Sequence, residues 1–322
     1  MTTIVTGAAG FVGMHVAEAL LDRGETVVGV DNLNTYYDVR LKEARLARLA
    51  NRSGFTFRRV DVADRIAMEE LVAAYGDTRH IIHLAAQAGV RHSMVDPYAY
   101  VTSNVMGHTC VLEAARRLPC LEHLVYASSS SVYGDNTKLP FAEADPVDTP
   151  VSLYAATKRA DELISYAYSH LYGLPQTGLR FFTVYGPWGR PDMAYYGFAE
   201  AIIAGRPITL YEGGTLRRDF TYITDIVGGV LAALDHPPGA GEPPRVLNIG
   251  NNRSELVSRL VELLEASLGR KAIVESVPRP IADVPETWAD VDAIKRLGFA
   301  PSTSLEDGIA RFAAWFLEYE KD

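Results

Sequence analysis

Short apolar runs alternate with helix-length amphipathic segments from the N-terminus to about residue 181, and this alternation restricts the fold more than any other feature. Thr3–Thr6, Thr26–Val30, Phe55–Arg59, His80–Leu84, His123–Ala127 and Gln176–Phe181 read as strands. Phe11–Arg23, Asp38–Asn51, Ala63–Tyr75, Pro97–Leu118 and Ser152–Tyr172 read as the helices between them. Strands joined by crossover helices require a parallel sheet covered on both faces, so the expected class is α/β with a doubly wound parallel sheet over residues 1–183. Beyond Thr183 the rhythm breaks, and loops rich in Gly and Pro (YGPWGRPDM, YEGGTLRRDF, HPPGAGEPP) separate shorter elements. Residues 184–322 are expected to form mainly a smaller substrate-binding lobe, with RVLNIG (245–250) as a strand returning to the main sheet. No internal repeat or low-complexity linker interrupts this organisation.

The first strand runs directly into IVTGAAGFVG, which places Gly7, Gly10 and Gly13 at the spacing of a dinucleotide-binding turn of the Rossmann type. Gly7 permits the tight turn, Gly10 lets the backbone approach a pyrophosphate, and Gly13 allows close packing of helix on strand. A glycine pattern alone is a weak signal, but Asp31 closes the second strand, where a carboxylate would accept from the adenine ribose hydroxyls. The following NLN holds no arginine for a 2′-phosphate, which favours NAD over NADP. Asp61 in VDVAD is either near the adenine edge or a helix N-cap, and both readings stay open. Ala85 and Ala86 in HLAAQAG are small enough for the backbone to pass close to the cofactor, whereas His83 reads as a packing residue. Phe11, Val12, Asn32, Asn34, Val62, Leu84 and Asn104 are expected along the same cofactor cleft.

YAATK sets Tyr154 and Lys158 at i and i+4, on one face of a long helix. A phenol of pKa ~10 is a poor base at neutral pH. A lysine ammonium one turn away, beside a positively charged nicotinamide, would favour the phenolate. YASSSSVYG (126–134) ends a core strand and faces that helix, so its hydroxyls read as placed for chemistry and not as a linker.

Charge and composition narrow the partners. The 322 residues carry a formal charge of −9, which argues against a nucleic-acid partner but leaves room for a small phosphorylated ligand bound by local arginines. No apolar run approaches the ~20 residues of a membrane helix, and MTTIVTGAAG lacks the basic and apolar regions of a signal peptide. Cys110 and Cys120 have no metal-ligand spacing and read as reduced packing residues, so no metal site is expected. The localisation expected from these features is cytoplasmic, with no membrane partner.

Taken together, the glycine turn, Asp31, the serine run, Tyr154/Lys158 and RFFTVYGP resemble the extended short-chain dehydrogenase/reductase family, in particular its nucleotide-sugar epimerases. DNLNTYYDVRLKEARL (31–46) and RFFTVYGPWGRPDMA (180–194) resemble the UDP-glucuronate 4-epimerases more narrowly. The resemblance implies NAD as cofactor and a UDP-sugar as substrate, UDP-glucuronate or UDP-galacturonate. It gives Ser129 a hydrogen bond to the sugar 4-hydroxyl, Tyr154 the removal of its proton, and Lys158 the nicotinamide ribose. Arg218 in RRDF resembles a diphosphate contact, and Arg279 and Asp283 in PRPIAD a second phosphate contact and a ribose contact. It also implies a homodimer joined through helices 97–118 and 152–172.

In the dehydratase relatives the strand end carries Asp and Glu where this chain has Ser130 and Ser131, and UDP-glucuronate decarboxylases place a glutamate next to VYG. A serine hydroxyl can hydrogen-bond a ketone or carboxylate but cannot supply that acid near neutral pH, so the expected chemistry stops at oxidation and re-reduction. Thr183 and Arg190 are expected to grip a sugar carboxylate. Neutral-hexose epimerases generally carry asparagine at the position of Thr183. Arg91 in AGVRHS is either another substrate contact or a surface charge. Two alternatives remain at this level: a UDP-glucose/UDP-galactose 4-epimerase, and a catalytically silent NAD-binding regulator, which the presence of Ser129, Tyr154 and Lys158 disfavours.

Overall fold

Ile4, Val28, Val30, Ile81, Leu124 and Tyr126 are buried in one apolar cluster, and Val5, Val27, Ile82, Val125 and Leu179 in a second. Neighbouring residues of a strand point to opposite faces, so these two sets mark a sheet that is covered on both sides. The computed structural model describes residues 1–239, 241–280 and 283–320. Its strands are β1 (Thr2–Thr6), β2 (Thr26–Asp31), β3 (Phe55–Arg59), β4 (Thr78–His83), β5 (His123–Ser129) and β6 (Gln176–Phe181). They continue with β7 (Thr183–Tyr185), β8 (Pro207–Tyr211), β9 (Arg217–Tyr222), β10 (Arg245–Ile249), β11 (Ser254–Leu256) and β12 (Ile273–Val277). The α-helices are α1 (Phe11–Asp22), α2 (Val39–Ala50), α3 (Arg65–Ala74), α4 (Pro97–Tyr100), α5 (Gly107–Ala115) and α6 (Leu153–Tyr172). In the second half they are α7 (Ala194–Ala204), α8 (Ile223–Leu234), α9 (Val257–Leu268), α10 (Asp292–Lys295) and α11 (Leu305–Tyr319).

The main sheet has seven strands in the order β10-β6-β5-β4-β1-β2-β3, every pair parallel. The chain leaves β1 in one direction along the sheet and resumes at β4 in the other. That reversal opens a crevice at the carboxyl ends of β1 and β4, where open α/β sheets take their ligands. The doubly wound sheet expected from the alternation is present, and RVLNIG does return to it, with Arg245 to Ile249 paired to Thr177 to Phe181.

Several boundaries shift by one or two residues, and three differences from expectation have a local reason. β5 runs two residues further than Ala127, because Ser128 and Ser129 pair with Arg180 and Phe181 of β6. The helix expected over Pro97–Leu118 is divided by a π-helical segment, Val101–Met106, and stops at Ala115. Pro119 follows closely and disfavours helix in the residue before it. The lobe expected from residue 184 onward is interrupted, since α8 packs on α1 and against β5 and β6, and β10 completes the sheet. The rest of the second half forms a three-stranded sheet, β11-β9-β7, and a parallel pair, β12-β8. Around them α7 and α11 pack through Tyr195, Tyr196, Phe312 and Phe316, and α9 joins them through Leu260, Val261 and Leu264. Among the described residues no helix is long and apolar enough to cross a membrane, and no cluster of metal-ligating side chains is present.

Candidate active site

The cleft over the crevice encloses about 440 Å³. At its floor, the amides of Gly7 and Ala8 donate to the Val30 carbonyl at 2.7 and 3.1 Å, folding the chain sharply between β1 and α1. Gly7 has φ of 73°, and a Cβ there would stand 2.7 Å from the Ala85 amide nitrogen. A Cβ on Gly13 would lie 2.0 Å from the Gly7 carbonyl oxygen, so α1 can approach β1 only with glycine at this place. Gly10 caps α1 without a side-chain hydrogen bond, which leaves first-turn amides facing the cleft. An uncapped helix start above a cradle that side chains would fill fits a pyrophosphate.

Around this turn the cleft wall contains Phe11, Val12, Asp31, Asn32, Asn34, Asp61, Val62, Leu84, Ala85 and Ala86. Asp31 accepts from the amides of Ala9 at 3.1 Å and Leu33 at 2.9 Å, which holds its carboxylate at the end of β2. Asp61 accepts from the Asn32 side chain at 2.9 Å. The N-cap alternative for Asp61 is not realised, because the residue that caps α3 is Asp64, accepting from Ile66 and Ala67. His83 lies buried, 2.7 Å from the Thr6 hydroxyl and stacked on His108. Burial, reinforced by the nearby Lys158 charge, pushes its pKa down to about 3, so it stays neutral.

The serines divide by direction. Ser128 points into the protein and donates to Glu162 at 2.6 Å. Ser129, Ser130 and Ser131 line the cleft, with Ser129 capping the short 3-10 turn by accepting from the Ser131 amide at 3.2 Å. Tyr154 and Lys158 line the same end from α6, which Ser152 caps by accepting from the Ala155 amide at 3.1 Å. The Lys158 ammonium donates to the Ala127 carbonyl at 2.9 Å and to Asp161 at 3.1 Å. The Tyr100 ring meets the Tyr154 ring edge-on, with centroids 6.0 Å apart.

Thr183 and Arg190 reach the cleft from the other side. Arg190 forms a forked pair with Asp192 at 3.0 and 2.8 Å, and Tyr36 donates to the same carboxylate at 3.2 Å. Burial opposes the Arg190 charge, and Asp192 more than offsets that opposition, so the guanidinium is held above its usual value. At the far end Arg218 donates to Asp283 at 2.5 Å, and both line the cleft.

Three expected site residues are not brought to the cleft wall. Asn104 is buried behind it, in the π-helical segment, where it accepts from the Gln87 amide at 2.8 Å and donates to Thr157 at 2.9 Å. It shapes the loop after β4 through the Gln87 backbone. The Arg91 side chain is 62% exposed, 3.8 Å from Asp283. It lies over the Tyr211 ring at 4.6 Å. Arg279 donates to the Asp283 carbonyl and stands 3.6 Å from Glu212. Arg91 and Arg279 therefore surround Asp283 from outside.

Tyr36, Tyr37, Lys42 and Gln87 line the cleft without having been singled out in the sequence. The first three fall within the 31–46 stretch, whose resemblance was the one signal available, and Gln87 carried none. Arg45 is fully buried and donates to Ala9, Trp188 and Gly189 carbonyls and to the Tyr37 hydroxyl. It thereby ties the glycine turn to the segment that carries Arg190.

A phosphate cradle, an acidic strand end and a Tyr–Lys pair on one crevice define a dinucleotide-dependent enzyme of the short-chain dehydrogenase type. The model of the NAD dependent epimerase/dehydratase family matches residues 3–250, and the chain belongs to that family. It is 49% identical over 333 residues to UDP-glucuronate 4-epimerase 4 of Arabidopsis thaliana, covering 99% of this chain and 76% of that one. It is 46% identical to a probable UDP-glucuronate 4-epimerase of Rhizobium meliloti, covering 98% and 97% of the two chains. Among solved structures it resembles the UDP-glucuronic acid 4-epimerase from Bacillus cereus in complex with UDP-glucuronic acid and NAD. That match has a TM-score of 0.92 and 33% identity, over 99% of this chain and 100% of that chain.

Proposed function

We propose that this chain is a UDP-glucuronate 4-epimerase that interconverts UDP-glucuronate and UDP-galacturonate with NAD retained throughout. Its relatives and structural neighbour carry that activity in their names, and the layout of the cleft supports it for this chain. One observation carries the reading. Among the described residues, the acids lining the cleft are Asp31 and Asp61 at the adenine end and Asp283 beside Arg218, while the end formed by Ser129, Ser130, Ser131, Tyr154 and Thr183 has hydroxyls and Arg190. A site of that composition removes and returns a proton but has no carboxylic acid with which to expel a hydroxyl.

Bound NAD supplies the oxidant for the sugar C4 and, once reduced, the reductant. Gly7, Gly10 and Gly13 would seat its pyrophosphate, Asp31 its adenine ribose and Lys158 its nicotinamide ribose. Ser129 holds the 4-hydroxyl and Tyr154 takes its proton. The resulting 4-keto sugar of a uronate is a β-keto acid, which loses CO2 readily when the bond to the carboxylate aligns with the carbonyl π system. Thr183 and the side of the Arg190 guanidinium that Asp192 leaves free hold the carboxylate out of that alignment while the ring turns its other face to the cofactor, through a charge-assisted contact. Arg218 and Asp283 hold the UDP end.

The subunit pairs as a homodimer. Tyr98, Val101 and Met106 on the α4–α5 run and Leu163 and Tyr166 on α6 leave large apolar side chains exposed, with Tyr98 at 82% and Tyr166 at 57%. A second copy would cover this face with the matching helices.

Incubation of the purified protein with UDP-glucuronate, followed by NMR, tests the activity. UDP-galacturonate should accumulate to equilibrium without net NADH. A UDP-pentose or 4-keto-pentose as main product, or faster turnover of UDP-glucose than of the uronate, would overturn the reading.

A further inference from the structure

Two acids follow one another on α6 beneath the reacting end of the cleft, and they are built differently. Glu162 has both oxygens satisfied: it accepts from Ser128 at 2.6 Å, from Arg180 at 2.8 and 2.9 Å, and from Arg159 at 3.1 Å. Asp161 is as deeply buried, with its side chain 1% exposed, yet one oxygen meets only Lys158 at 3.1 Å. The other has no hydrogen-bond partner among the described residues. A buried carboxylate with an unsatisfied oxygen is costly, and an ion pair of this kind is a poor device for stability alone. Lys158 is itself only 4% exposed and donates its other hydrogen bond to the Ala127 carbonyl.

We propose that Asp161 is a positioning residue that pins the Lys158 ammonium between α6 and the end of β5, and that its negative charge tempers the field Lys158 exerts on Tyr154. The roles of Lys158 and Tyr154 rest on the function proposed above. Tyr154, Lys158 and Asp161 stand at i, i+4 and i+7, on one face of the helix. With Asp161 charged, the Lys158–Asp161 pair is nearly neutral and the phenolate gains less from the lysine. With that charge removed, the ammonium acts undiminished.

The surroundings leave this charge to Asp161. Facing it are Lys158 and Glu162 on its own helix, Tyr126 from β5, and His108 from α5 with His83 of β4 stacked on its ring. Burial holds both histidines neutral, and it raises Tyr126 so that it remains a phenol. The Glu162 charge is matched by Arg180 and Arg159. Burial, only partly offset by Lys158, pushes the Asp161 carboxyl up to about 6, so this offset is itself pH-sensitive near neutrality.

The test is Asp161→Asn, which keeps shape and removes charge, with Asp161→Ser as the second variant should the first not fold. Competitive acetylation of Lys158 across pH, read by mass spectrometry on the protein without substrate, should show its titration moved down by roughly one pH unit. The acid limb of kcat/KM should move to lower pH by about half a unit, since the phenolate forms more easily. A folded variant with an unchanged Lys158 labelling curve overturns the proposal, and so does one whose labelling shifts while the acid limb of kcat/KM stays in place, because an acid that only holds the lysine for stability would leave that limb unmoved. Failure of the wild-type protein to convert UDP-glucuronate would sink the proposed function instead, and the labelling curve would still decide the role of Asp161.

Discussion

At the scale of single residues, the reaction depends on a phenol that must lose its proton beside a fixed ammonium. Tyr154→Phe keeps the ring against Tyr100 and deletes only the hydroxyl. General-base removal by a positioned group is worth about 10²–10⁴-fold, so kcat should fall by that factor with NAD content and melting temperature little changed. Steady-state epimerisation with a thermal-unfolding control checks this, and wild-type turnover in the variant would remove Tyr154 from the mechanism. Tyr154 and Lys158 were legible in the sequence because i, i+4 spacing places side chains together on any helix. Asp161 was not legible, since an acid at i+7 on an amphipathic helix looks like solvated surface until its neighbours are known. The place of Asn104 was not legible either, because the π-helical segment carries it behind the cleft wall to Gln87 and Thr157.

Between elements, the side chain with most to explain is Arg45. Its guanidinium is fully buried and meets three backbone carbonyls and a tyrosine hydroxyl. It joins α2, the glycine turn through Ala9, and the Trp188–Gly189 backbone, next to Arg190. Trp188 adopts φ of 64°, an unfavourable region for a side-chain-bearing residue, and so depends on such ties to keep its shape. Arg45→Met would strand buried carbonyls at about 1–3 kcal/mol each, and a loss of about 3 kcal/mol in denaturant unfolding is expected. Where the variant folds, KM for UDP-glucuronate should rise more than kcat falls, because the segment holding Arg190 loosens. A variant of unchanged stability and KM would show that the tie has no such role. Arg45 lay inside the stretch that resembles uronate epimerases, yet its partners are some 140 residues away along the chain, at Trp188 and Gly189.

For the whole molecule, exposed apolar side chains on α4, the π-helical segment and α6 underlie the proposed dimer. Sedimentation of the wild-type protein should show a dimer. The double variant Tyr98→Asp/Tyr166→Asp should sediment as a monomer, since a buried pair of like charges opposes association. A wild-type monomer at micromolar concentration would overturn the arrangement. The return of α8 and β10 to the main sheet also belongs to this scale. It places the cleft between a sheet and a lobe that the chain crosses more than once, so both ligand ends are held by segments distant in sequence.

What the sequence determined by itself was local and periodic: the alternating elements, the glycine turn, Asp31, and the Tyr–Lys pair. Each follows from rules of spacing that hold within a dozen or so residues, whatever the rest of the chain does. Only the tertiary structure decided which charges are paired and which groups lie behind the wall. Burial and partner choice at Asp161, Arg45, Arg190 and Asn104 depend on segments that meet across the fold, where a low-dielectric interior turns the identity of a single neighbour into a large energetic difference.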